Sequence, residues 1–261
     1  MRQDFVRCRH ERITSSSVQQ KCAGTANRAG CYKNRMCGRY SITTPPEALR
    51  RLFQFVNLPN LQPRWNVAPT QQAPVVRATA AGRELGLLRW GLIPAWAKDP
   101  SIGARCINAR ADTVAAKPAF RSAFRARRCL VPADGFFEWR AENRVRQPYR
   151  IVLNSGAPFA FAGLWERWVG AAETIESFTI ITTEANETLK PLHERMPVIL
   201  PPEAYAPWLG GAVEDAVALL QPLPAALVTY FLVDQRVNAV KNDDPACITP
   251  IAPQPAQLRF I

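Results

Sequence analysis

The stretch RCLVPADGFFEWRAENRVRQPYRIVLNSGAPFAFAGLW, residues 128–165, decides the fold class. Its apolar runs are short, rich in aromatic and β-branched residues, and separated by Pro, Gly and polar turns. RCLVP (128–132), GFFEW (135–139), PYRIVL (148–153) and PFAFAGLW (158–165) each read as one strand, and SFTIIT (177–182) repeats the pattern. Connections this short suit antiparallel neighbours better than parallel strands, which need long crossovers.

Upstream, APVVRA (73–78) and ELGLLRWGL (84–92) read as a hairpin turning around Ala81-Gly82. TTPPEALRRLFQFV (43–56) reads as a helix. Thr44 is the expected cap, Pro45 the first helical residue and Glu47 the partner in a capping box. Leu49, Leu52, Phe53 and Val56 then share one apolar face. PAFRSAFRARR (118–128) reads as a helix with Phe120 and Phe124 inward and its arginines outward. PPEAYAPWL (201–209) and VEDAVALL (213–220) suit short helices, and ALVTYFLV (226–233) a last strand. The Pro-rich end, 245–257, is expected to wrap the surface. The sum is an α+β fold: one domain over residues 36–261, built on mixed, mainly antiparallel sheets with peripheral helices.

Residues 1–35 differ in kind. They hold eight Lys/Arg against Asp4 and Glu11, so this extension carries +6 of the chain's net +12. With few large apolar residues it cannot bury enough surface to offset its ordering entropy. It is expected to be disordered, or to be upstream sequence with Met36 as the working start. It lacks the apolar core of a secretory signal, and no run in the chain approaches the ~20 apolar residues of a membrane span. Seven cysteines, an odd number without a CxxC pair, argue against a disulfide scaffold or a zinc site and for a reducing, cytoplasmic setting. No metal or organic cofactor is expected. The remaining positive charge favours a polyanionic partner, and a monomer is the simplest assembly.

Chemically able residues stand inside otherwise apolar segments at four places: Cys37 after Met36, Asn108 and Arg110 in INARADT, Glu138 in GFFEW, and His193 in LHERMPVIL. Each type also has a purely structural use, as a small buried thiol, a turn-forming amide, an ion pair or a loop brace. Burying several such groups without partners would cost about 1–3 kcal/mol each, which favours their convergence.

The ordered motifs MCGRYS, RWNVAPT, RWGLIPAWAKD, INARADT, FRSAFRARRCLVPADGFFEW, PYRI, FAGLWE and LHERMPVIL, from residue 36 to about 200, resemble the SOS response-associated peptidase (SRAP) family of abasic-site processing proteins. The resemblance implies a single SRAP-like domain of curved, barrel-like, mainly antiparallel β-sheets with flanking short helices, and binding of single-stranded DNA containing an abasic site. It further implies a covalent link through Cys37 once Met36 is removed. Asn108, Glu138 and His193 match the family's other catalytic positions. Arg39, Asn66, Arg110 and Trp139, in or beside the motifs, are the expected DNA-side residues. Two positions depart from the family pattern: Phe137 stands where Tyr is usual, and Asp112 where Glu is common.

The chemistry explains the residue type. A terminal cysteine offers an α-amine, with a pKa near ~7.7–8.0 against ~10.4 for lysine, and a thiol two carbons away. The amine makes an imine with the sugar aldehyde, and the thiol closes a five-membered thiazolidine, an intramolecular step with a high effective concentration. With residues 1–36 attached, the Cys37 nitrogen is an amide and neither step is open to it. Two other readings use the same residues. A thiol peptidase could combine Cys37 or Cys106 with His193 and Asn108. A non-catalytic single-strand binder would need only arginines and stacking tryptophans such as Trp65, Trp90, Trp96 and Trp139.

Overall fold

The computed structural model describes residues 38–57, 59–142 and 145–252; the expectations for residues 1–35 and for Cys37 fall outside them. The hairpin read from 73–92 forms as β3 (Gln72–Thr79) and β4 (Gly82–Trp90), antiparallel from Gln72↔Arg89 to Thr79↔Gly82. Its turn is Ala80-Ala81, and Gly82, at φ 122°, supplies the backbone geometry that other residues rarely adopt. β3 pairs with β6 (Arg128–Ala133), β6 with β9 (Phe159–Val169), and β9 with β10 (Thr174–Glu184), all antiparallel. β10 returns to β4 in parallel, at Ser177↔Arg89 and Phe178↔Trp90, closing a five-stranded barrel. Beyond that closure the end of β10 is flanked by β5 (Asn108–Arg110), parallel, and β11 (Arg195–Pro197), antiparallel. β12 (Ile199–Leu200) adds to β9.

A second sheet, antiparallel throughout, has the order β13-β8-β7-β1-β2. Its strands are β1 (Tyr40–Ile42), β2 (Arg64–Val67), β7 (Gly135–Glu142), β8 (Val145–Leu153) and β13 (Val228–Leu232). Alternation along β7 separates its two faces. Phe136 turns inward, where Phe136 and Tyr40 pack on Phe161 of the barrel with ring centroids 5.8 and 5.9 Å apart. Phe137 turns outward into a smaller cluster with Val233, Val237 and Cys247, part of the segment after β13. That cluster is apolar, which suits Phe at this position rather than Tyr. Residues 233–252 therefore lie on the outer face of this sheet, where Val233 also bridges Pro250; residues 253–257 of the expected wrapping segment are outside the described range.

The expected α+β, barrel-like and mainly antiparallel architecture is thus present, with α1 (Pro46–Phe53), α2 (Arg121–Ala126), α3 (Tyr205–Gly210) and α4 (Val213–Ala218) around it. Three local expectations need correction. Thr44 does not cap α1: Pro45 takes the cap position, and the Thr44 N–H and hydroxyl both go to Asp134, at 3.1 and 3.3 Å. Val56 is not on the helix face, because Gln54 ends α1 in the left-handed conformation (φ 57°), and Val56 is exposed. Arg128 does not point outward; it is buried and donates to the carbonyls of Trp208, Phe124 and Gly211, tying α2 and α3 to β6.

Candidate active site

Glu138 is the buried acid of β7, only 5% exposed. By alternation it shares the inner face with Phe136, and its cross-strand neighbour on β8 is Tyr149. Arg140, two residues on, donates to the Tyr149 hydroxyl at 2.7 Å and lies over its ring. On the other side, β1 runs antiparallel to β7 with Tyr40↔Phe136, and Phe137 N–H donates to Arg39 C=O at 3.0 Å. The same antiparallel register, continued two residues past Tyr40↔Phe136, would face Gly38 with Glu138. Among the described residues, a Cβ added to Gly38 would meet no atom within 4 Å, so this side of the strand start is open.

Asn108 and Arg110 pair with the end of β10, and His193 lies in the loop that follows that strand. Ile180 pairs with Asn108 and Thr182 with Arg110 on one side, and Thr182 pairs with Pro197 of β11 on the other. His193 sits in the loop from β10 to β11. The buried Asn186 braces that loop: its Oδ1 accepts Leu189 N–H at 3.0 Å and its Nδ2 donates to Leu223 C=O at 2.8 Å. His193 N–H then donates to Leu189 C=O at 3.1 Å. The His193 Nδ1 accepts Arg195 N–H at 3.1 Å, so the neutral ring carries its proton on Nε2. Partial burial holds the imidazole pKa below its ordinary value.

The two groups of residues flank one aromatic pair. Tyr40 of β1 packs edge-on against Trp90 with centroids 5.2 Å apart, and the Trp90 indole N–H donates to Ile107 C=O, next to Asn108, at 2.9 Å. Trp90 is fully buried, which removes it from the possible base-stacking platforms. Trp96 is exposed, and Trp65 and Trp139 are half-buried.

Arg110 and Asp112 form an exposed ion pair, with Nη2–Oδ2 at 2.6 Å and Nε–Oδ1 at 3.1 Å. Its hydrogen bond from Arg110 pulls the Asp112 carboxyl down to about 2. Arg195 adds a second guanidinium nearby, donating to Thr182 C=O at 2.5 Å; burial first, then the charge of Arg110, lowers its pKa. An exposed cationic edge therefore adjoins His193.

Asn66 and Arg39 take a different position from that of surface ligands. Asn66 is fully buried. Its Oδ1 accepts Arg39 Nη1 at 2.9 Å, and its Nδ2 donates to the carbonyls of Val237, Ala239 and Asn242 at 3.1, 3.3 and 2.7 Å. Arg39 also donates to Val237 C=O at 2.6 Å and Asn238 C=O at 3.3 Å. Trp139, on the same outer face of β7 as Phe137, donates its indole N–H to Asn238 Oδ1 at 2.6 Å.

A family model described as SOS response associated peptidase (SRAP) matches residues 36–240. The chain belongs to the SRAP family. It is similar to the protein named abasic site processing protein YoqW of Bacillus subtilis (strain 168), 41% identical over 221 residues that cover 82% of this chain and 99% of the relative. It is also similar to abasic site processing protein HMCES of Xenopus tropicalis, 32% identical over 265 residues, 83% of this chain and 78% of the relative. Among solved structures, a Bacteroides thetaiotaomicron protein superposes with a TM-score of 0.75 at 26% identity, covering 83% of this chain and all of that one. A Bordetella bronchiseptica protein gives 0.68 at 30% identity, covering 76% and 100%.

In this SRAP chain the surroundings of Cys106 and Cys129 disfavour the thiolate. Cys106 is buried and its thiol pKa is raised by that burial, as is that of the fully buried Cys129. Of the arginines on or near the SRAP motifs, Arg64 is paired with Asp243 and Arg127 with Glu166, at 2.7 Å for the second pair. Sequence reasoning missed Asn186, Arg195 and the 237–243 segment as parts of the site's support. Their roles depend on contacts between distant positions, and no local pattern marks them. Among the described residues, no group of three or more His, Cys, Asp and Glu is placed to hold a metal, and no helix is long and apolar enough to cross a membrane.

Proposed function

We propose that this protein processes abasic sites in DNA, binding single-stranded DNA and trapping the open sugar aldehyde covalently through Cys37 as N-terminal residue. Two supports stand beside the relatives' names: the residue types in the matched motifs, and one geometric observation. That observation is the antiparallel β1–β7 register, Tyr40↔Phe136, which puts the chain leading to Cys37 alongside the strand that carries the buried Glu138.

The reaction balances without a cofactor. The Cys37 α-amine adds to the aldehyde carbon, and Glu138 receives the proton that the nitrogen sheds. The resulting hydroxyl leaves as water, giving an imine. The Cys37 sulfur adds to the imine carbon, the nitrogen takes back a proton, and a thiazolidine remains. The net change is one aldehyde plus one aminothiol giving one ring and one water. His193, its Nε2 proton free to be donated, serves the sugar oxygen as the ring opens, in the manner of a general acid. Asn108 orients the sugar. Arg110 meets a flanking phosphate, and Trp139 offers a stacking face worth about 1–3 kcal/mol per base.

The reading requires a working chain that starts at Cys37, either from initiation at Met36 with removal of that residue or by cleavage before Cys37. The test is the rate of denaturant-stable adduct formation with abasic single strands. Glu138→Ala and His193→Ala are each expected to lower it by about 10²–10⁴-fold, the usual share of one acid–base group. Full-rate adduct formation by both variants would refute the assignments.

A further inference from the structure

We propose that Arg39 is a tether rather than a phosphate ligand. It ties the strand start carrying Cys37 to the 237–243 segment, with Asn66 as the hub, and so sets where the attacking amine stands relative to Glu138. The inference rests on the function proposed above for its kinetic consequence, but the tether itself is judged separately.

The geometry carries it. Arg39 alternates with Tyr40, so when Tyr40 turns into the core, Arg39 turns to the outer face of the sheet. There one nitrogen, Nη1, is shared between Asn66 Oδ1 at 2.9 Å and Val237 C=O at 2.6 Å, while Nη2 reaches Asn238 C=O. These acceptors are neutral oxygens arranged as a socket for a planar guanidinium fork. Asn66 builds the socket by binding three carbonyls of the same segment with its one amide nitrogen. Asp243 locks the segment to β2 from the end, its Oδ1 accepting the backbone N–H groups of Trp65 at 2.6 Å and Asn66 at 2.9 Å. Pulling on this socket moves Arg39 and with it the start of the described chain at Gly38. Reaction at a held nucleophile is sensitive to such shifts, since a displacement of about 1 Å can cost about 10²-fold.

Arg39→Lys separates tether from phosphate ligand. Lysine keeps the positive charge but lacks the fork that reaches Asn66, Val237 and Asn238 together. With protein verified by intact mass to begin at Cys37, three quantities are measured: the adduct-forming rate at saturating abasic single strand, the affinity and its salt slope for a strand bearing a reduced, unreactive abasic site, and amide hydrogen exchange across Gly38–Ile42. The expected result is a saturated rate lower by at least about tenfold, affinity and salt slope within about twofold, and faster exchange confined to that segment. Asn66→Ala, if it folds, is expected to match it. A wild-type saturated rate with weakened, less salt-dependent binding assigns Arg39 to a phosphate and overturns the tether, as does no change in any of the three. If the wild-type protein forms no adduct at all, the covalent reading fails. The tether then stands or falls on the exchange data alone: unchanged protection of Gly38–Ile42 in Arg39→Lys refutes it.

Discussion

The Nδ1 of His193 accepts the backbone N–H of Arg195 at 3.1 Å, which fixes the ring's tautomer as part of the turn into β11. Burial also lowers the ring's pKa in the folded state below the unfolded value near ~6.5. Between those two values the unfolded chain binds the proton more readily, so stability rises with pH there. The neutral ring's contribution is complete above about pH 6.5 and is lost as the pH falls through the window below it. His193→Gln cannot titrate. Chemical unfolding from pH 5 to 8 is expected to show wild type losing stability relative to the variant below about pH 6.5, and a difference constant over the whole range would contradict the burial argument.

Arg110 is paired with Asp112, so under the proposed function a DNA phosphate would compete for the same guanidinium. Both side chains are exposed, so the pair is weak and open to exchange. Asp112→Asn is expected to bind single-stranded DNA about two- to fivefold more tightly at low salt, the gain shrinking as salt screens the removed charge. Arg110→Ala is expected to bind more weakly and to reduce the slope of log affinity against log salt by about 0.7. Anisotropy titrations over a salt series check both. Because Asp112 titrates near about 2, neither difference should vary between neutral pH and pH 5 through this group.

Asp134 holds the strand that carries the site. It accepts the Ser41 hydroxyl at 2.7 Å, the Thr43 hydroxyl at 2.8 Å and N–H, the Thr44 N–H at 3.1 Å, and an Arg150 N–H at 3.1 Å. Both ends of the Asp134–Arg150 pair are largely buried. Asp134→Ala leaves the largely buried Arg150 charge without its carboxylate and the Thr43 and Thr44 N–H groups without their acceptor, and is expected to cost about 3–5 kcal/mol in urea unfolding. A loss under about 1 kcal/mol would mean the network relaxes onto water.

Cys106 tests the competing nucleophile. Its burial and raised thiol pKa predict slow alkylation of the native protein, and Cys129 slower still. Cys106→Ser is expected to form the DNA adduct within about twofold of wild type, since no proposed step uses that sulfur. Loss of the adduct in a folded Cys106→Ser variant would move the chemistry to this residue.

The sequence made the sheet strands legible where they are long and paired locally, while the barrel-like closure was legible only through the family resemblance. The β3–β4 hairpin and the run from β6 to β10 follow from alternation and turn residues. β1, β5 and β11 are three residues each, too short for periodicity to count, and β7 and β10, which pair with β1 and β5, lie far along the chain. The α1 cap was misread because Asp134, some ninety residues on, outcompetes the local capping box for Thr44. Motif types pointed to Asn108, Glu138 and His193, but residue type cannot tell an exposed Asn from a buried one. Asn66 and Arg39 read as DNA-side residues from their motifs, and no local pattern signals the hydrogen bonds they also make to the 237–242 segment.

The most direct test of the account is intact-mass analysis of protein beginning at Cys37 after incubation with an abasic single strand. The account expects a denaturant-stable species at the sum of the two masses less one water. It expects that species to vanish when the Cys37 α-amine is acetylated beforehand. The same species formed at an undiminished rate by the acetylated protein would contradict it.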